Sequence, residues 1–415
     1  MTALDKLLGI VARNRAGQQA GIASWCTAHS GVLRVVLEAY RGTDDPILIE
    51  ATCNQVNQYG GYTGMTPAAF RDFVHGLADQ SGIRREQILL GGDHLGPNPW
   101  RARPAAEAMA EASGMVRAYV EAGFTKIHLD ASMRCADDGV LSEAEMAARA
   151  AQLCGVAETY SRGQKPVYVI GTEVPVPGGE VAGSGGPVVT GAKAMLATVE
   201  RHLQAFAKPA ADRIIGVVVQ PGVDFSNDEV WPFQANAAVA LAGSNALLAG
   251  AVFEAHSTDY QSPAALSQLV AAHFGILKVG PELTFAFREA VVAMAQIEDH
   301  LELPRTSRIV EVLQSAMAAD PKHWRGYVPD GPGNRTRLLF GLSDRVRYYW
   351  SDPGVTQALT QLFANIDAAK VEPGLVSQLA GLPPGALANG QPLSRRIVDA
   401  KAGAVVAKYR AACRA

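Results

Sequence analysis

The adjacent pair Asp93-His94, set in Gly91-Gly92-Asp93-His94-Leu95-Gly96-Pro97, puts a carboxylate and an imidazole at the end of an apolar run. On a regular strand neighbouring side chains diverge, one into the interior and one toward the rim, which suits two jobs at one site. His94, Glu173 and His256 each close a different apolar run. Two imidazoles and a carboxylate are the donor set of a catalytic zinc or similar divalent ion that keeps a position open for substrate or water. Gln220 closes another run and adds a weak fourth contact through its amide oxygen. A single polar strand end usually just hydrogen-bonds a loop, but three donors ending alternate runs favour an ion.

Further polar groups fall beside this set. In Lys126-Ile127-His128-Leu129-Asp130-Ala131-Ser132, alternation puts His128, Asp130 and Ser132 on one strand face. Asp130 is then placed to bind sugar hydroxyls, while His128, deeper in the strand, is expected to be a paired structural group. Glu254, His256 and Thr258 share a face in the same way, with Ser257 and Asp259 at the turn. Glu50, Thr52, Asn54 and Gln55 begin an amide-rich stretch suited to hydroxyl recognition, or equally to turn capping. Lys278, within Gly275 to Pro281, is expected to offer its ammonium and nearby backbone amides to a sugar phosphate, ahead of an imine-forming role. No GxxxxGK[ST] phosphate loop is present, so a nucleotide-dependent kinase finds no support.

Eight apolar runs carry these residues: Gly21 to Ala28, Pro46 to Cys53, Ile88 to His94, Lys126 to Ser132, Val167 to Glu173, Ile214 to Gln220, Val252 to Thr258 and Gly275 to Pro281. Buried parallel strands read as near-continuous apolar runs, and helical segments separate these. Thr66-Pro67 and Ser142-Glu143-Ala144-Glu145 carry helix-start signals. The expected class is α/β, a (β/α)8 barrel over residues 1–285 with a mostly helical C-terminal extension, 286–415, packed on it. The Pro- and Gly-rich segment Pro175 to Gly191 is expected to be a lid or substrate loop. Asp344 to Trp350 is read as a snorkelling surface helix on an aromatic patch rather than as part of the mouth.

The chain has 415 residues, 48% of them hydrophobic, and a formal charge of −3, which argues against a nucleic-acid partner and for a small polar substrate. Five cysteines with no CxxC pair indicate neither a disulfide framework nor a thiolate zinc site, and suggest a reducing cytoplasm. The most apolar stretch, Ala235 to Phe253, is too interrupted to span a membrane.

Long strings of the chain resemble the Z subunit of tagatose-bisphosphate aldolase (GatZ/KbaZ). They include Gly60-Gly61-Tyr62-Thr63-Gly64-Met65-Thr66-Pro67, Gly91 to Pro99, Lys126 to Met133, Ile170 to Gly179, Val217 to Val223, Glu254 to Gln261, Leu277 to Pro281 and Leu342 to Trp350. The resemblance runs almost end to end. It implies a relative of class II aldolases, in which an Asp-His pair after the third strand supplies a proton-transfer carboxylate and a zinc ligand. Asp93 and His94 match that pair, and Glu173 and His256 fall where further ligands are expected, Glu173 with a catalytic role as well. The aldolase pattern has a third ligand histidine after strand six, where this chain has Gln220, a poorer ligand.

The family is described as a partner that stabilises and activates a Y-type aldolase subunit, as a tagatose-6-phosphate kinase in older naming, and as a ketose-phosphate 4-epimerase. The resemblance therefore implies tagatose 6-phosphate metabolism, with epimerisation to fructose 6-phosphate as the first expectation and the non-catalytic Z subunit as the alternative. It also implies a phosphorylated ketose bound near Glu50, Asn54, Asp130, Gln220, Ser257 and Lys278. The implied cofactor is Zn2+, with Mn2+, Ni2+ or Mg2+ in second place, and a Y-type subunit or a homo-oligomer is the expected assembly.

Overall fold

In the computed structural model the described residues are all except 172–185, 329–330, 332, 388–389 and 415, with the side chains of 386–387 also outside the description. Eight parallel strands close into a barrel: β1 (Ile22–Cys26), β2 (Ile47–Thr52), β3 (Ile88–Leu95), β4 (Lys126–Leu129), β5 (Val167–Ile170), β6 (Ile214–Val218), β7 (Val252–Ala255) and β8 (Phe274–Val279). Each lies within or overlaps one of the expected runs, and β1 pairs in parallel with both β2 and β8, leaving no free edge. The fold is a (β/α)8 barrel. Helices Pro67–Gln80 and Glu143–Tyr160 start where their caps indicate: the Thr66 hydroxyl accepts from the Ala69 N–H, and Ser142 and Glu145 form a reciprocal capping box.

The two ends of the barrel differ. Helix Ala3–Arg15 lays Leu4, Leu7 and Val11 against Ile22, Leu48, Leu89, Val167, Ile215, Val252 and Ile276, the opening residues of seven strands. This apolar plug seals the N-terminal end. Above it the interior turns charged, with Glu50, Lys126, Glu254 and Lys278 all buried. A short hairpin, Asp224–Phe225 with Val230–Trp231, follows β6.

Beyond β8, helix Pro281–Glu298 starts at a proline suited to the first helical turn and is buried along most of its length. Helix Leu393–Cys413 returns to pack against Ser30–Ala39, Pro263–Ala271 and Pro281–Glu298. Asp344 to Trp350 corrects the sequence expectation. It holds a short 3-10 helix, Arg345–Tyr348, that is largely buried instead of lying on the surface, fixed by a buried ion pair between Arg288 and Asp344 at 2.8 Å and by the Ser343 hydroxyl donating to Asn227 at 2.7 Å. Among the described residues no helix is long and apolar enough to cross a membrane. The five cysteines are all free thiols.

Candidate active site

At the C-terminal ends of the strands the barrel opens into a cavity of about 470 Å³. Asp93, His94, His256 and Lys278 line it from the strand ends, and Arg347 and Trp350 line it from the extension. Asp93 and His94 do not diverge as a regular strand would require. The β3–β4 register slips between Gly92 and Leu95, and His94 adopts a φ of 51°, so β3 carries a bulge at the pair. Both side chains therefore face the cavity, and His94 Nε2 lies 3.5 Å from Asp93 Oδ2.

Three imidazoles meet here, with ring centres 4.9 Å apart for His94–His256, 5.1 Å for His94–His128 and 5.2 Å for His128–His256. Each ring has a carboxylate on one nitrogen. His94 Nδ1 is 3.0 Å from Asp130, His128 Nδ1 is 2.8 Å from Asp93, and His256 Nε2 is 2.9 Å from Glu254. An ionised carboxylate only accepts, so His256 Nε2 donates to Glu254 and its Nδ1 keeps the lone pair, whereas His128 Nδ1 lies between Asp93 and the His94 backbone N–H, which donates to it at 3.2 Å. The other ring nitrogen of His128, Nε2, is fully buried and has no hydrogen-bond partner. One ligand atom from each of Asp93, His128, Glu254 and His256 lies within 4.8 Å of the other three.

Beneath the imidazoles lies a ladder of charges. Lys126 Nζ is 2.6 Å from Glu50 and 2.8 Å from Glu254, and Lys278 Nζ is 2.7 Å from Asp93 and also bonds Glu50. Pairing is what makes such burial tolerable, because an isolated ion in this interior would be driven to its neutral form. Burial disfavours the charged form of Asp93, but His94 and Lys278 outweigh it and hold the carboxyl well below its usual range. Burial likewise opposes ionisation of Glu254, and Lys126 overcomes it. Lys278 stays protonated because Asp93 and its other anionic neighbours more than offset its desolvation. Burial pulls His256 down to about 4, so its ring is neutral near pH 7. Burial disfavours charge on His94, but Asp93 and Asp130 outweigh it and raise the ring above its ordinary value, so His94 joins Lys126 and Lys278 in compensating Glu50, Asp93, Asp130 and Glu254.

The remaining expected residues sort by position. Asn54 and Ser257 line the cavity. Glu50 lies below it, fully engaged with the two lysines. Asp130 serves His94 and the Ser132 N–H and hydroxyl, so it orients a ring instead of presenting itself to a sugar. Gln220 is turned into its own loop, where its amide oxygen accepts from the Gly222 and Val223 N–H groups at 2.8 and 2.9 Å. The atom assigned to a metal contact is thereby taken. Lys278 points at Asp93, and the Gly280 and Glu282 N–H groups expected to meet a phosphate donate to Asp259. Glu173 and most of the expected lid, Pro175 to Gly191, lie outside the described residues.

Lys126, His128 and Glu254 are the members that reading the sequence undervalued. Their signal was the alternation itself, since Lys126 and His128 share a strand face with Asp130, which made the inward face of β4 charged along its whole length. Arg347 and Trp350 carried no local signal, because their place at the mouth depends on the long-range contacts of Asp344.

Among proteins of known sequence, D-tagatose-1,6-bisphosphate aldolase subunit GatZ of Klebsiella pneumoniae subsp. pneumoniae is 49% identical over 382 residues, covering 89% of each chain. The GatZ subunit of Salmonella typhimurium is 46% identical over 416 residues, covering 97% of this chain and 98% of its own. A crystal structure described as a probable tagatose 6 phosphate kinase from Sinorhizobium meliloti 1021 superposes with a TM-score of 0.86 at 44% identity, covering 95% of this chain and 100% of that one. A family model described as D-tagatose-1,6-bisphosphate aldolase subunit GatZ/KbaZ-like matches residues 7–414, and the chain belongs to that family.

Proposed function

We propose that the chain works in tagatose phosphate metabolism as a Z-type subunit beside a Y-type aldolase subunit, in a reducing cytoplasm. The observation that carries this reading is the commitment of Gln220 to its own loop. The strand-six position that supplies an imidazole in class II aldolases offers no ligand here, while the relatives matched nearly end to end are named as aldolase subunits. Co-expression with a Y-type subunit tests it: the aldolase should gain activity and stability from this chain, and a Y-type subunit indifferent to it would refute the reading.

A second reading, a ketose-phosphate 4-epimerase, is favoured by the convergence of Asp93, His94, His256 and Lys278 on one cavity, with His128 packed against both imidazoles. The donors fit a divalent cation, since Asp93, His128, Glu254 and His256 each bring a ligand atom within 4.8 Å of the others and His128 Nε2 has no other partner. His128 and His256 would hold it together with a Glu254 oxygen, with His94 beside them. Such an ion supplies Lewis acidity at the C2 carbonyl of the ketose. Asp93, held ionised, accepts the C4 hydroxyl proton as the C3–C4 bond breaks, leaving an enediolate of C1 to C3 and an aldehyde of C4 to C6. Lys278 offsets the negative charge that gathers on this side of the cavity. Turning the aldehyde over before the bond re-forms inverts C4, and Asp93 returns the proton to its oxygen. Tagatose 6-phosphate incubated with the chain and divalent metal, followed by NMR, should give fructose 6-phosphate that chelator suppresses and Asp93→Asn abolishes. No conversion by the metal-loaded chain would remove this second reading.

A further inference from the structure

The barrel's usual phosphate position is closed in this chain. Loops after the last two strands of such barrels commonly bind phosphate through backbone N–H groups. Here Asp259 Oδ1 accepts from the Gly280 N–H at 3.0 Å and the Glu282 N–H at 2.8 Å, so a carboxyl oxygen built into the protein already fills that place. Lys278 is no substitute, because Asp93 and Glu50 neutralise it. A second cation also lines the cavity. Arg347 lines it, and among the described residues no carboxylate is within ion-pair distance of its guanidinium. Its Nη1 donates to the carbonyls of Ser343 and Asp344 and its Nη2 to the Tyr348 hydroxyl at 2.9 Å, which leaves further N–H donors in the same rigid fork. The buried Arg345 adds positive potential two residues away, and Tyr62 packs on Tyr348 with ring centres 4.5 Å apart.

We propose that Arg347, with the Tyr348 hydroxyl beside it, forms the subsite for the phosphate monoester of the substrate. The C-terminal extension, not the barrel, then reads the phosphate. An Arg fork matches a phosphoryl group geometrically, and its anchoring to two carbonyls leaves little freedom to lose on binding. The cavity, with Asp93 and the imidazoles at one wall and Arg347 at another, takes a phosphorylated sugar end on. This subsite rests on the sugar-phosphate reading above.

The test is calorimetric titration of wild type, Arg347→Gln and Arg347→Lys with inorganic phosphate, tagatose 6-phosphate and unphosphorylated tagatose, with near-ultraviolet circular dichroism as a check on folding. Wild type should prefer the phosphorylated sugar. Arg347→Gln should lose about tenfold or more in affinity for both phosphate ligands, the size of a lost charge-assisted hydrogen bond, without a matching change for tagatose. Arg347→Lys should fall between them, and it carries the comparison if the glutamine variant does not fold. Undiminished phosphate affinity in the folded variants would overturn the subsite while leaving the sugar-phosphate reading in place. Phosphate binding that depends on Arg347 without any tagatose 6-phosphate binding would keep the subsite and overturn the sugar. A wild type that binds neither phosphate ligand would overturn both.

Discussion

Lys126→Met removes the central cation of the charged ladder and replaces it with a side chain of similar length. Lys126 is fully buried, and its ammonium holds Glu50 at 2.6 Å and Glu254 at 2.8 Å. Breaking a buried pair by deleting one partner costs about 3–5 kcal/mol, because the surviving charge stays out of water without compensation. Here the two survivors are not equally exposed to the loss. Glu50 keeps Lys278, whereas Glu254 keeps only its hydrogen bond from His256, so the expected loss is at the lower end, about 3 kcal/mol. The assay is urea denaturation followed by tryptophan fluorescence, on Lys126→Met, Glu254→Gln and the double variant. If the penalty is the stranded carboxylate, neutralising it should recover part of the loss, with a coupling of about 1–3 kcal/mol between the two sites. A loss below about 1 kcal/mol for Lys126→Met, or strictly additive effects, would refute the account of the ladder as mutually dependent charges.

Other expectations follow from the same geometry. Elemental analysis after loading with Zn2+ should show reduced metal in His128→Ala and His256→Ala and unchanged metal in Gln220→Ala; the reverse pattern would restore the aldolase ligand set. Burial and the nearby Glu282 carboxylate push Asp259 up to about 7, above its ordinary 3.8, so the folded state holds a proton that the unfolded state has released between those values. Wild-type stability should accordingly fall as pH rises from about 4 to 7, and this component should be absent from Asp259→Asn, whose amide oxygen still accepts from the Gly280 and Glu282 N–H groups. Equal pH slopes for the two proteins in denaturant titrations would dispose of that assignment.

The barrel was legible because its strands are buried on both faces, and burial on both faces writes itself locally as an apolar run. The Asp93-His94 pair was legible by type but not by direction. A bulge reverses the alternation on which the reading depended, and nothing in Gly92-Asp93-His94-Leu95 announces the extra residue. Lys126 was hidden by its position at the start of an apolar strand, where a lysine normally marks the solvated edge. Gln220 and Lys278 were placed at the correct strand ends and given the wrong partners, because hydrogen bonds to Gly222 and across the barrel to Glu50 and Asp93 are tertiary facts. Arg347 entered the site only through the ion pair of Asp344 with Arg288, two residues with 55 others between them in the chain.

Helix Leu393–Cys413 touches the helices that follow β1, β7 and β8, and its Tyr409 hydroxyl donates to the Thr258 carbonyl at 2.6 Å, on the loop that carries His256. That loop is thus braced by a helix far downstream in the chain. The helices of the first and eighth strand-helix units are covered by a segment more than 350 residues downstream of β1. Folding dominated by such distant contacts is slow, and intermediates of this kind are prone to aggregate. A protein built this way has a long interval of vulnerability between translation and closure, in which a pre-folded partner or a chaperone covering the open side of the barrel would have its greatest effect.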